Sequence, residues 1–395
     1  MAGASGAALQ DPTGFPTFHV WPAPNGPRVE ELGAWSPAQR LTEAPGGGYR
    51  PQVAVAPDGR LHAVYYERLP AGDLIRHRTS LDGQGWTDPQ PVGFDTLRNW
   101  GPDIVARADG SIVVSFDHAQ EDFSSRGFLT TWSEGTWSSP VPLTAADPEG
   151  EIGSGHVADA RGGDLAYVWI GKKMTPEDRF RAFWRWQVDG VWTEPVAFTD
   201  GAEDAWHTNV ERRPDGSVLA AWDMGVGGGE TTLYVVDGRD GSFSVPENIS
   251  EEPGRPGERA HFAFSPDGTD HVTWFHKREG APRHVYVRSG RPGAWSGRVD
   301  EPSRGLGGFH FDPDIAVDAD GRRVVVWGWD QGSEAELVYS VDAGTGWSPA
   351  RRVADIRWGK PGLPSLTVGA DGVFHVVWNQ GVRGENHVYY ARLQL

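Results

Sequence analysis

The chain has 395 residues, with 36 Lys+Arg against 54 Asp+Glu and so a net charge of −18 when histidine is neutral. No apolar run approaches the ~20 residues that span a bilayer, the acidic balance argues against general nucleic-acid binding, and the absence of cysteine removes disulfides, thiolate metal sites and thiol nucleophiles. Gly and Pro number 53 and 30, yet 19 tryptophans supply the burial that a disordered chain lacks, so a folded, turn-dense protein is expected.

In chain order, residues 1–34 read as an arm, with Phe15, Phe18 and Trp21 available to pack on the remainder. A short strand WSPAQRL follows from Trp35, and then one unit recurs seven times. Its marker is an Asp-Gly or equivalent turn at Asp58, Asp109, Gly162, Asp215, Asp267, Asp320 and Asp371, in steps of 51, 53, 53, 52, 53 and 51 residues. Each turn divides two alternating Val/Ile-rich runs, such as PQVAVAPDGRLHAVYY from Pro51, which is a hairpin signal. A third run follows, and then a fourth strand opening on an aromatic residue at Trp86, Trp137, Trp192, Phe243, Trp295 and Trp347. Four antiparallel strands in about 50 residues make a propeller blade. The seventh unit ends after its third strand, HVYYARLQL, so WSPAQRL is expected to supply the fourth and close the ring. The expected fold is all-β, a seven-bladed β-propeller over residues 35–395.

The Asp-Gly turns are alike and share one face; the connections on the opposite face vary, and variable loops on a rigid scaffold carry function. Aligned first strands place Gln52, Asp103, His156, Asn209, His261, Asp314 and Ser365 in a polar ring at the channel mouth. Upstream lie Tyr49, Arg50, Trp100, Trp206, His207, Arg259, His310 and Lys360, and at the ends of second strands Tyr66, Asp117, His118, Asp223 and Trp329. Aromatic faces, guanidiniums and imidazoles in one bowl suit a sugar ligand. The recurring second-strand aromatics Tyr65, Phe116, Trp169, Trp222, Trp274, Trp327 and Trp378 read instead as packing between blades.

Ser340-x-Asp342-x-Gly344-x-x-Trp347 matches the Asp-box pattern, and over nearly its whole length the chain resembles the sialidase-like, BNR-repeat propellers. Seven units without a clear arginine triad speak against a sialidase. The frame Asn99-Trp-Gly-Pro102, Asp109-Gly110, Asp117-His118 is similar to that of ulvan lyase-like polysaccharide lyases and related rhamnosyl-glucuronate hydrolases, with Asn99 standing where those carry a first histidine. His310-Phe-Asp-Pro313 keeps that first histidine but ends in Trp329 and Asp330.

This resemblance implies a carbohydrate-active enzyme, most concretely a lyase on a uronic-acid glycan. β-Elimination needs a base, an acid and a cation on the carboxylate. His156, His207, His261, Tyr49, Tyr66 and His118 are the acid–base candidates. Arg50 and Arg259 are the carboxylate neutralisers, with Trp100, Asp103, Trp206, His310, Asp314, Trp329 and Lys360 lining the site. A glycoside hydrolase using the Asp residues, a lectin-like binder and a protein scaffold are the alternatives; dissimilar 2→3 loops favour one asymmetric site over repeated lectin pockets. No cofactor is expected beyond a structural cation in the channel, and the partner is a poly- or oligosaccharide bound by a monomer. The N-terminus shows no basic region ahead of an apolar stretch; the expected location is outside a bacterial cell, after removal of a leader, with the cytoplasm as the alternative.

Overall fold

The computed structural model describes residues 33–43, 46–95, 98–119, 125–144, 151–172, 179–225, 231–250, 257–275, 283–332, 334–356, 358–382 and 385–395. Seven antiparallel sheets follow one another, each running first, second, third, fourth strand from the inside outward. The first strands are Gly48–Val55, Asn99–Ala106, Glu151–Asp159, Asp204–Arg212, Glu258–Phe264, Phe309–Val317 and Lys360–Val368. Each packs beside the next, and the seventh beside the first, so they form the wall of a central channel. The seven-bladed propeller is therefore the observed fold. Most of the expected arm, residues 1–32, lies outside the described residues; at its end Gly33 donates from its backbone to Arg352 O at 2.8 Å.

The ring closes as the truncated seventh unit requires. Gln39 and Arg40 pair with Tyr390 and Tyr389 of the last strand, and Ser36 and Leu41 extend the pairing through backbone bonds to Arg392 and Val388. Leu41 is buried between blades 7 and 1 with Val53, Tyr65 and Tyr390. Trp35 meets Tyr339 of blade 6 edge-on at 5.5 Å. One segment thereby joins three blades and removes two open sheet edges. Trp86 on Tyr390 and Trp137 on His77 repeat the same device, a fourth-strand aromatic seated on the preceding blade. The second-strand aromatics are all buried, as their register predicts.

At the Asp-Gly turns, Asp58, Asp109, Asp215, Asp267 and Asp371 accept the backbone N–H two residues on, and the following Gly takes a positive φ, 81° at Gly59. The carboxylate satisfies the turn and Gly supplies the left-handed residue. Asp342 works similarly one turn away, accepting from Gly344 and Gly346 at 2.7 and 3.0 Å.

Several histidines are core residues. His62 Nδ1 and His77 Nε2 share one hydrogen bond at 2.9 Å, which requires one nitrogen to accept, and burial pushes them down to about 4 and about 3. His271 and His375 are pushed by burial to about 4. An unfolded imidazole titrates near 6.5, so below that pH the unfolded chain takes up protons that the native one refuses. The stability these groups confer is complete above pH 6.5 and drains away down to about pH 4. The lowered carboxylates Asp82, Asp109 and Asp267 lose theirs only below the ordinary aspartate range. Compared by urea titration with a His375→Gln variant, a comparison in which the raised carboxyls cancel, the wild-type midpoint should therefore fall relative to the variant's between pH 6.5 and 4.5; a constant difference over that interval would contradict the buried-histidine assignment.

Candidate active site at the channel mouth

Every first strand carries a β-bulge at the same height. In blade 1, Tyr49 pairs with Tyr66 and Gln52 with Val64, leaving Arg50 and Pro51 opposite the single Tyr65. The same shift separates Trp100 from Asp103, Gly153 from His156, Trp206 from Asn209, Glu258 from His261, Phe311 from Asp314 and Gly362 from Ser365. A bulge re-aims a side chain and leaves a backbone N–H unpaired, and Pro51, Pro102, Pro313 and Pro364 occupy the position where no N–H is needed. The preceding bulge residue is left-handed in six blades: Arg50 (φ 46°), Gly101 (58°), His207 (34°), Arg259 (54°), Asp312 (47°) and Leu363 (47°). Five of these carry side chains in a conformation that costs each on the order of 1–3 kcal/mol.

Groups from the preceding blade hold the bulges. Asn379 Oδ1 accepts from Arg50 N at 3.3 Å, Asp223 Oδ1 from Arg259 N at 3.4 Å, and Asp312 Oδ2 from Leu363 N at 3.2 Å. Asp312 also pairs with Arg259 Nε at 3.4 Å. Asp223, wholly buried, receives His207 Nδ1 at 3.2 Å. With the Nδ1 proton committed to Asp223, Nε2 of the half-exposed imidazole is left with a lone pair for a proton. Arg50 lies close to Arg259, and burial followed by that repulsion lowers its pKa, while Tyr66, Asp117 and Asp312 oppose the fall. Arg283 is also lowered by burial and then feels Glu258, Asp312 and Arg259. Guanidiniums that repel one another in an enclosed site favour an anion between them. Gly101 keeps that space open: a Cβ there would stand 3.1 Å from Asp117 Oδ2 and 3.7 Å from Arg50 Nη1. Burial raises the Tyr66 hydroxyl, and Arg50 is the largest opposing influence.

One level deeper lies the polar ring, and much of it staples blades together. Asp103 Oδ2 accepts from Val157 N, Asp314 Oδ2 from Leu366 N and Ser365 Oγ from Val53 N, at 2.8, 2.7 and 3.1 Å; Asn209 Nδ2 donates to Ala260 O at 3.0 Å. Each bond reaches the next blade. His156 Nδ1 faces Asp103 at 3.5 Å and His261 Nδ1 faces Asp314 at 3.4 Å. Burial lowers His261, with Asp314 opposing. Deeper still, burial and the charges of Asp314 and Asp103 push Glu211 well above the usual carboxylate range. Among the described residues, no group of three or more His, Asp or Glu side chains is arranged to hold a metal ion.

The mouth therefore unites Arg50, Tyr66, His207 and Arg259 above Asp103, His156, His261 and Asp314. Tyr49, stacked on Tyr66 at 5.3 Å with Arg68 over it, forms its rim in blade 1. Trp100 is half-buried in the seam of blades 1 and 2, and Trp206 leans on Phe180 at 5.0 Å. Other candidates sit elsewhere. His310 is fully buried, accepting from Trp327 Nε1 at 2.9 Å. His118 binds Asn99 Oδ1 at 2.9 Å beneath Phe94, with its pKa lowered by burial. Trp329 is buried and donates to Gly307 O, and Lys360 pairs with Asp330. These last four are positioned by packing, hydrogen bonding or ion pairing within their own blade seams. Asp312, Arg283 and Asn379 join the site although motif spacing does not single them out.

No protein-family model and no curated protein matches the sequence. Solved structures do share the fold. A protein of unknown function from Dyadobacter fermentans matches with TM-score 0.58 and 14% identity, over 91% of this chain and 99% of that one. An α-L-arabinanase from Penicillium chrysogenum, complexed with arabinobiose, matches with TM-score 0.53 and 13% identity, over 92% and 97%. The NanB sialidase of Streptococcus pneumoniae matches with TM-score 0.51 and 13% identity, over 94% and 70%. At these identities the likeness is one of propeller fold.

Strain stored at the mouth should be recoverable as stability. Arg50→Gly removes a left-handed side chain and one of two repelling cations, and should raise the urea midpoint by the equivalent of about 1 kcal/mol while weakening anion binding. A lowered midpoint would show that Arg50 holds the fold.

Proposed function

We propose that the chain is a carbohydrate-active enzyme, a lyase that cleaves a uronic-acid-containing polysaccharide by β-elimination at the channel mouth. The observation that carries this reading is the pairing of a buried-carboxylate-supported imidazole, His207 on Asp223, with the mutually repelling guanidiniums Arg50 and Arg259. The guanidiniums bind the uronate carboxylate and stabilise the charge that spreads onto it when the C5 proton leaves. His207 Nε2 takes that proton. The electron pair forms the C4=C5 double bond as the C4–O bond breaks, and the Tyr66 hydroxyl protonates the departing oxygen. His156 and His261, each backed by an aspartate, lie beneath this level and complete the polar floor.

A hydrolase would need one carboxyl free to serve as acid and another as base or nucleophile. Of the carboxylates a hydrolase would draw on, Asp103, Asp117, Asp223 and Asp314, three are each engaged by a histidine, which supports the lyase. The propeller neighbours that include an arabinanase and a sialidase support carbohydrate chemistry on this scaffold in general terms.

On a panel of polygalacturonate, alginate and rhamnose–glucuronate polymers, the wild-type chain should generate ultraviolet absorbance from the unsaturated product. His207→Asn should lower kcat by about 10²–10⁴-fold, the usual worth of a general base. Arg259→Lys should also fail to restore activity, because an ammonium lacks the bidentate fork. Reducing sugar released without new absorbance would overturn elimination in favour of hydrolysis.

A further inference from the structure

The described tryptophans are buried or half-buried with one exception, Trp358, which is exposed on the connection from blade 6 into blade 7. That connection belongs to the face carrying the channel mouth. The backbone that carries the ring is nonetheless tied down. Gln380, itself buried, donates from Nε2 to Ile356 O at 3.0 Å and to Trp358 O at 3.2 Å, and its Oε1 accepts from Trp378 Nε1 at 3.0 Å. The Trp358 ring meets His387 edge-on at 6.1 Å. The exposed Arg40 of the closing strand pairs with Tyr389; its Nε donates to Thr42 O at 2.5 Å, and the Thr42 hydroxyl is bonded to His387 Nδ1 at 3.3 Å, with Glu385 the opposing charge nearby. Leu363, a bulge residue of the mouth, follows Trp358 by five positions, a chain length of no more than about 18 Å.

An indole face open to water, with a guanidinium on the neighbouring closing strand, matches the chemistry of a pyranose ring bearing a carboxylate. The C–H face stacks on the aromatic ring and the cation takes the charge. We propose that Trp358 and Arg40 form an outlying subsite that holds a second uronate ring of the same polymer, away from the ring being cleaved at His207. The proposal rests on the reading of the mouth as a uronate site, and makes the preferred substrate a long chain.

The test compares wild type with Trp358→Ala and Trp358→Phe on polygalacturonate, alginate and a rhamnose–glucuronate polymer, and on di- and trisaccharides prepared from each. Trp358→Ala should raise KM for the polymer by about tenfold, the worth of one ring stack, with kcat and turnover of the short fragments unchanged. Trp358→Phe should restore most of the loss, and Arg40→Gln should reduce the sensitivity of the polymer KM to salt. Polymer kinetics unchanged in Trp358→Ala would overturn the subsite and leave the mouth assignment standing. Equal losses on polymer and on short fragments would also overturn it, by placing Trp358 in general support. A wild-type chain that neither binds nor cleaves any of the three polymers would remove the uronate reading of the mouth, and the subsite with it.

Discussion

Seven first strands converge on one channel, and each carries one residue more than its partner strand can pair. That shared bulge is the constraint on which the upper face depends. In a regular ladder, Arg50, His207 and Arg259 would point into a blade or sideways along the wall. The extra residue turns them to the left-handed region, and at Arg50, Arg259 and Leu363 the freed backbone amide finds an acceptor on the preceding blade. Asp223 answers two demands at once, receiving the amide of Arg259 and orienting His207. The site is therefore built out of the joints between blades, and its geometry is as rigid as the ring closure that Gln39–Leu41 provides.

The polar residues at the mouth divide by depth. Those just below the bulges are mostly staples. Asp103, Asn209, Asp314 and Ser365 each spend an atom on the next blade's backbone, where the channel leaves first-strand edges without a sheet neighbour. Those at the bulges have charges left over for a ligand. Arg50 and Arg259 repel each other and both feel Asp312, which pairs with Arg259, an arrangement that an anion between them would relieve.

Much of this was legible in the sequence. The 51–53-residue period, the Asp-Gly turns and the missing final strand determine blade number, strand order and closure, because each reflects a local rule of turn chemistry or strand pairing. The second-strand aromatics declare themselves by register. The site was legible only in part. Alignment places Arg50, His207, Arg259 and Tyr66 near the mouth, but it treats His310 and Trp329 as equivalents of residues that face the channel. Those two follow the inward face of the blade 5–6 seam and are buried there, a difference that depends on three-dimensional packing. The bulges themselves left a signal that alternation alone does not reveal: Pro51, Pro102, Pro313 and Pro364 recur inside first strands, where proline is admitted only at an edge or a bulge. Asp312 stands immediately before one of them. Arg283 comes from a 2→3 connection with no repeat to align it, so only the folded chain brings it to Arg259.

The most direct measurement is a crystal structure of the His207→Asn variant with a uronate tetrasaccharide. The account predicts one carboxylate within hydrogen-bond distance of both the Arg50 and Arg259 guanidiniums, with C5 of that ring facing position 207 and the leaving oxygen toward the Tyr66 hydroxyl. A saccharide bound on the Asp-Gly turn face, or seated at the mouth with its carboxylate turned away from both arginines, would contradict it.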